Sequence, residues 1–153
     1  MTTYPRRTAT SLAVIPLLLL IIFANSRSLM AASPFSPPFK ITELKLCQEV
    51  DKDRNPVKIT TEFPAGTNTV YAWFAWKDAE RGLKITAHWH YTTENIAILD
   101  FSVALNRSAD HGVIMLRMGE GKTLPAGSYR LDIEVDSKVI KSISFTALPP
   151  ESR

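Results

Sequence analysis

The tripeptide His88-Trp89-His90 is the local pattern in this chain with the clearest chemical potential. Because residues two apart on a β-strand point to the same face, the two imidazoles would project together and could bind one metal ion. His111 and the adjacent Asp110 offer further ligands, and such nitrogen and oxygen donors suit zinc or copper(II). The competing interpretation needs no metal, since His88 and His90 also continue the polar phase of an amphipathic strand.

Aromatic residues cluster in the segment Tyr71–Trp76 and around Trp89. Strand alternation divides the first cluster into two phases, one of which would face outward from a sheet that is covered on one side. Exposed rings supply a large contact area at a small entropic cost, so Trp73, Trp76 and Trp89 are the candidate residues for binding a protein or glycan partner. The alternative is a strand that is covered on both faces, with its rings in the core.

No pattern in the sequence is specific for catalysis. Serine, histidine and aspartate all occur, but there is no glycine–x–serine–x–glycine nucleophile elbow. The turn Gly119–Lys122 lacks the length of a phosphate-binding loop. Asp100 lies in an apolar run, where an outward-facing strand position explains it better than a perturbed catalytic acid does. These features predict that the protein is not an enzyme.

The first 26 residues have the layout of an export signal. Arg6 and Arg7 precede an apolar run from Leu12 to Ala24, and small residues follow it. A membrane-spanning helix needs roughly 20 apolar residues, so a cleaved signal peptide (1–26, with cleavage as late as 32) is favoured over an uncleaved anchor. We therefore expect a periplasmic or extracellular protein that meets a membrane only through this segment, if the segment is retained.

Charge and cysteine content argue against a nucleic-acid-binding protein and against a fold held together by disulfides. The chain has 18 Lys and Arg against 15 Asp and Glu, and without residues 1–26, which hold two arginines and no acid, 16 basic residues remain. A nucleic-acid partner requires a clustered basic face, so none is predicted. The single cysteine, Cys47, cannot form an internal disulfide and is expected to be buried as a small apolar residue.

Eight segments either alternate between apolar and polar residues or are continuously apolar, as β-strands are. Short turns rich in glycine, proline and asparagine separate them, and no segment is a convincing helix. The run Ile96–Leu105 is the longest and most apolar, which predicts a central strand. The eight segments are 42–46, 57–63, 70–76, 83–91, 96–105, 113–118, 129–135 and 139–147.

The last third of the chain resembles the closing hairpin of bacterial immunoglobulin-like domains. The motif Pro125-Ala126-Gly127-Ser128-Tyr129 leads into an alternating strand, and Asp136-Ser137 forms a tight turn into a final strand that carries Phe145. Phe63-Pro64-Ala65-Gly66-Thr67, with the aromatic strand after it, resembles the middle strands of such domains. The resemblance implies an all-β, immunoglobulin-like antiparallel β-sandwich of about seven to eight strands at residues 40–148. A Pro-rich spacer (27–39) would precede it, and a loose tail (149–153) would follow.

Immunoglobulin-like domains of exported proteins are mostly binding, adhesion or spacer modules, and the resemblance implies a role of that kind. We expect a non-catalytic binding or accessory module that acts through a sheet face or an edge strand, without a cofactor. Two alternatives stay open on the sequence alone. One is a periplasmic metal-binding protein that uses His88 and His90, and the other is a purely structural module of an envelope complex.

Overall fold

The computed structural model describes residues 39–105 and 109–151 of the chain. This part contains nine β-strands and no helix, and therefore no helix of the length and apolarity that a membrane crossing requires. The expected export signal, all of the spacer except Phe39 and the last two residues of the tail lie outside the described residues. The strands are β1 (Lys40–Val50), β2 (Pro56–Ile59), β3 (Glu62–Phe63), β4 (Thr69–Lys77), β5 (Lys84–Tyr91), β6 (Ile96–Ala104), β7 (His111–Arg117), β8 (Gly127–Val135) and β9 (Lys138–Ala147).

The strands form two sheets. The four-stranded sheet has the order β2-β1-β4-β7, and the five-stranded sheet has the order β3-β9-β8-β5-β6. All pairs are antiparallel except β3 with β9. The inner faces of the two sheets enclose a common apolar core, so the predicted all-β sandwich is confirmed.

The segment 57–63, which was expected to be one strand, divides between the two sheets. The Thr60 amide donates to the Leu46 carbonyl at 3.0 Å, whereas the Thr146 amide donates to the Thr61 carbonyl at 2.9 Å. The chain therefore leaves β1 of one sheet and joins β9 of the other between two consecutive threonines. This change of sheet gives nine strands where the sequence predicted seven to eight.

Strict alternation on β4 and β5 supplies the centre of the core. Each strand buries every second residue, and the intervening side chains face away from the core. Trp89 is 1% exposed, and its ring contacts the Phe145 ring edge to face with 6.1 Å between centroids. Aromatic side chains bury about 150–250 Å² each, so Trp89 is a major contributor to hydrophobic stabilisation.

Strand β6 differs from its prediction. Its apolar composition predicted a central strand, but among the described strands it pairs only with β5 and lies at the edge of the five-stranded sheet. Its residues Leu99 and Phe101 are 39% and 48% exposed. Strand order is set by long-range pairing, which local composition does not report, and the prediction of a central position was therefore wrong.

The proline–x–glycine–x–tyrosine motif forms a hydrogen-bonded corner where β8 begins. The Tyr129 hydroxyl donates to the Pro125 carbonyl at 2.6 Å, and its ring stacks on Phe145 with 4.8 Å between centroids. Gly127 has a φ of +144°, and a Cβ there would lie 2.8 Å from the Tyr91 ring. The motif therefore encodes a close backbone approach that glycine permits and a hydroxyl that satisfies a loop carbonyl.

Replacing Trp89 by alanine is expected to lower the free energy of unfolding by about 3–5 kcal/mol, because it opens a cavity in the core. Met115 lies on the surface and is 50% exposed, so Met115→Ala should change the same quantity by about 0.5 kcal/mol or less. Urea unfolding of both variants measures the difference. Equal losses in the two variants would contradict the assignment of Trp89 to the core.

Tyr129→Phe is expected to cost about 1 kcal/mol of unfolding free energy, because it leaves the Pro125 carbonyl without its donor. Burial raises the pKa of the Tyr129 phenol to about 12. The folded-state pKa thus lies above the ordinary value of 10.0, so the stabilisation from the neutral phenol is complete below pH 10 and is lost as the pH rises towards 12. Between pH 10 and pH 12, the free energy of unfolding should fall less steeply with pH for Tyr129→Phe than for the parent. Identical slopes would contradict this account.

Candidate functional site

The outer face of the five-stranded sheet is mostly polar, although it includes the exposed Val139 opposite Glu134. Its side chains come from β5, β6, β8 and β9, and cross-strand register places them in continuous rows. One row aligns Asp100, His88, Asp132 and Ser142 across four strands. This is the ordinary arrangement for an antiparallel sheet that turns one face to the core and the other to water.

His88 and His90 share this outer face, as the sequence predicted. Their rings are inclined by 30° with 6.4 Å between centroids. Carboxylates of neighbouring strands approach the imidazole nitrogens: His88 Nδ1 lies 2.7 Å from Asp100 Oδ1, and His88 Nε2 lies 3.4 Å from Glu134 Oε2. His88 is therefore held between two acidic side chains, and its Nδ1 is engaged in a hydrogen bond.

The third carboxylate of this face, Asp132, is buried and fully engaged. Ser142 Oγ donates to one carboxylate oxygen at 2.6 Å, and Arg130 Nε donates to the other at 2.9 Å. His90 Nε2 lies 3.8 Å from the same carboxylate. A buried carboxylate is stable only when it is paired and hydrogen-bonded, and these contacts meet that need.

His111 lies on the opposite side of the sandwich, on β7 of the four-stranded sheet. Its Nδ1 lies 2.7 Å from Asp110 Oδ1, and this contact holds the pKa of the Asp110 carboxyl below its ordinary value. The expectation that His111 joins the metal ligands is therefore corrected, because the pair His88 and His90 projects from the other sheet. Within 39–105 and 109–151, no three His, Cys, Asp or Glu side chains are arranged to hold a metal ion. Zinc or copper binding by the remaining pair stays a prediction.

The outer face of the four-stranded sheet is mostly apolar, unlike that of the other sheet. Register places Ile59, Cys47, Tyr71 and Met115 in one row across all four strands, and Lys45, Trp73 and Val113 in the next. Ile59 is 57% exposed. We call this surface the apolar face, and its residues are Val57, Ile59, Tyr71, Trp73, Val113 and Met115.

Trp73 lies at the centre of the apolar face in a fixed position. Its ring stacks against the His111 imidazole with 5.8 Å between centroids and an inclination of 26°. Lys45 Nζ lies 5.3 Å from the ring centroid, in a cation–π contact. The ring is half-buried, and its Nε1 is buried without a hydrogen-bond acceptor. These contacts hold the indole in one orientation.

The two other candidate tryptophans are core residues. Trp76 is 6% exposed and Trp89 is 1% exposed, so neither ring can form a surface for a ligand. Both lie in the inward phase of their strands, opposite in phase to Trp73 and to the histidines. The expected ligand-binding role is therefore corrected for these two residues, and only Trp73 is placed on an outer face.

Cys47 lies in the first row of the apolar face and is completely buried, which confirms the prediction for its side chain. It is opposite Ile59 on one side and Tyr71 on the other. Burial raises the pKa of the Cys47 thiol, which disfavours the thiolate that a nucleophile or a metal ligand requires.

Sequence analysis missed the aliphatic part of the apolar face. Val57 and Ile59 share the phase of Phe63 in the predicted strand 57–63, and one continuous strand would turn all three side chains to the same face. Because the chain changes sheet after Thr60, Phe63 is buried while Val57 and Ile59 are exposed. Neither glycine nor proline stands between Ile59 and Phe63, so the sequence does not signal this break.

Comparison with known proteins gives a likeness at the level of the fold. No family model matches the chain, and no curated protein matches it. A crystal structure of an immunoglobulin-like protein from Pseudomonas aeruginosa is similar, with a TM-score of 0.56 and 16% sequence identity. The match covers 73% of this chain and 98% of that one.

Two larger enzymes contain a weaker likeness. An alkylpurine DNA glycosylase of Pseudomonas fluorescens matches with a TM-score of 0.40 and 12% identity over 72% of this chain and 30% of its own. A β-glucosidase from Listeria innocua matches with a TM-score of 0.42 and 11% identity over 73% of this chain and 16% of its own. Neither likeness bears on function. The sheet order, the corner that Tyr129 forms with Pro125 and the similarity to the Pseudomonas aeruginosa structure indicate the same fold. The described part of this chain is an immunoglobulin-like β-sandwich.

Proposed function

We propose that this chain is an exported, non-catalytic binding module that docks a protein partner on the apolar face. The observation that carries the proposal is the difference between the two outer faces of one sandwich. The five-stranded sheet turns histidine, acidic and hydroxyl side chains to water, whereas the four-stranded sheet turns Ile59, Tyr71, Trp73 and Met115 outward. Contiguous exposed apolar surface is a marker of protein contact sites.

The composition of the apolar face favours a protein over a glycan. Aliphatic side chains make up most of it, and Lys45 already lies over the Trp73 ring. The indole Nε1 is buried and offers no donor to a sugar hydroxyl. A broad surface with a fixed aromatic at its centre and charged residues around it has the anatomy of a protein–protein interface.

Two further features support the export and the non-catalytic role. The first 26 residues have the pattern of an export signal, and removal of that segment would leave the β-sandwich intact because β1 begins at Lys40. The single thiol is not arranged as a nucleophile, because burial raises the pKa of Cys47 and disfavours its thiolate.

The proposal predicts site-selective cross-linking. A photoreactive amino acid placed at Met115 of the full chain, in cells that produce it, should form one discrete adduct with another protein. The same amino acid at Ser144, on the outer face of the five-stranded sheet, should not form it. Ile59→Lys should abolish the Met115 adduct, because a lysine charge cannot be desolvated in an apolar contact without a partner.

Ser144→Lys is the matched control, since it adds the same charge to the other outer face. Both lysine variants should melt within a few degrees of the parent, because each changes an exposed side chain. The proposal fails if positions 115 and 144 label the same proteins, or if Ile59→Lys leaves the Met115 adduct unchanged.

A further inference from the structure

Strand β6 has the composition of a buried strand but the position of an edge strand. Its nine residues, Ile96–Ala104, include one charged residue, Asp100, and no proline or lysine. Natural edge strands are normally protected against pairing by charges, prolines, bulges or a covering segment, and β6 has one bulge, at Ile98, where its pairing with β5 shifts by one residue. No strand within residues 39–105 and 109–151 pairs with the outer edge of β6, so none of the described strands occupies its backbone donors and acceptors on that side.

The inner face of β6 continues the core beyond the part that the four-stranded sheet covers. Leu99 is in register with Trp89 and Phe101 with Ala87, both of which are buried. Leu99 and Phe101 themselves stay exposed at 39% and 48%. Apolar side chains therefore recur at every second residue along an open edge, which is the spacing that an added strand would cover.

An apolar pocket lies at the beginning of β6. Ile96 and Ile98 line it together with Met118, Leu124 and the rings of Tyr91 and Tyr129. The two phenol hydroxyls donate to the backbone carbonyls of Ala126 and Pro125, so the rings present apolar surface. Its volume of about 200 Å³ is below the roughly 300–1,000 Å³ of small-molecule sites and suits a single bulky side chain.

An acidic residue at the rim of the pocket indicates which kind of residue should follow the bulky side chain of an occupant. Glu94, in the turn before β6, lines the pocket and is exposed. It forms no ion pair with any residue of the described ranges. A lysine or arginine of an occupant would complement this carboxylate.

We propose that β6 binds an extended strand of a partner protein, which adds to the free edge, inserts one bulky apolar side chain into the pocket and places a basic residue beside Glu94. Backbone hydrogen bonds would supply the affinity, and the pocket and the carboxylate would supply the specificity. This site lies on the five-stranded sheet and stands independently of the function proposed for the apolar face.

A second copy of this chain fits the site less well. In a two-fold antiparallel pair centred on Phe101, the small residue Ala104 of the second copy would lie opposite Ile98. In that register the pocket would stay unfilled, and it is this unfilled pocket, not the charge beside Glu94, that distinguishes a partner strand from a second copy.

Fluorescence anisotropy with a labelled peptide tests the proposal. The probe is an end-capped ten-residue peptide of alternating valine and threonine, with phenylalanine as its last apolar residue and lysine beside it. We expect saturable binding to the full chain. N-methylation of one alternate set of peptide amides should weaken binding about ten-fold or more, because it removes hydrogen bonds to β6, while methylation of the other set should have little effect.

Variants of the chain test the pocket and the charge. Ile98→Trp should fill the pocket and weaken the probe about ten-fold. Glu94→Lys should weaken the lysine probe and strengthen a probe with glutamate in its place. Glu62→Lys, on β3 at the opposite edge of the same sheet, is the matched control and should change neither affinity. Circular dichroism checks that each variant is folded.

Three results would overturn the proposal. They are the absence of saturable binding, equal weakening by both methylated probes, and affinities that do not respond to Glu94→Lys. A stable dimer joined through β6, which the probe does not displace, would likewise show that the occupant is a second copy and not a partner strand.

Discussion

Five strands face four in this sandwich, and that mismatch decides which apolar side chains are shielded from water. The core forms where both sheets are present, and there Trp89, Phe145 and Tyr129 pack ring against ring. At the edge of this core, Ile98 and Val103 of β6 pack against it, whereas Leu99 and Phe101 stay exposed. Hydrophobic stabilisation is proportional to the apolar area that is removed from water. Covering the exposed side chains of β6 with another chain would therefore contribute binding energy.

The second asymmetry is between the outer faces. On the five-stranded sheet, Arg130 and Ser142 donate to Asp132 and His88 Nδ1 pairs with Asp100, whereas His88 Nε2 is buried without a hydrogen-bond partner. On the four-stranded sheet, Lys45 and His111 contact the Trp73 ring, and each also pairs with a carboxylate, Lys45 with Glu43 and His111 with Asp110. A fixed indole loses little entropy on contact, which lowers the cost of binding.

Alternation within one strand was the part of the fold that the sequence predicted well. Alternation on β5 sets Trp89 opposite in phase to the two histidines, yet Trp89 was also expected to bind a ligand on an outer face, and that expectation was wrong. The proline, glycine and tyrosine motif predicted a turn into a strand, but not the hydrogen bond from Tyr129 to Pro125. The phase of Trp73 and Trp76 could not be decided, because both phases of that strand carry aromatic rings. The edge position of β6 was also beyond local reasoning, since only the pairing of distant strands determines it.

For the candidate site, as for the fold, the sequence predicted local features but not contacts between distant strands. Two histidines on one face followed from their spacing, but the carboxylates that engage them come from β6 and β8, and sequence alone does not reveal such neighbours. The location of His111 on the other sheet, and the exposure of Ile59 after the chain changes sheet, likewise depend on contacts between distant segments.

Radical footprinting of the full chain tests the central claim, that the apolar face is a docking surface, most directly. Met115 should be oxidised rapidly in the purified protein and much more slowly in the cells or medium where the protein acts, because a partner covers it. His90, on the polar outer face, should react alike in both settings. Equal oxidation of Met115 in the two settings would contradict the account.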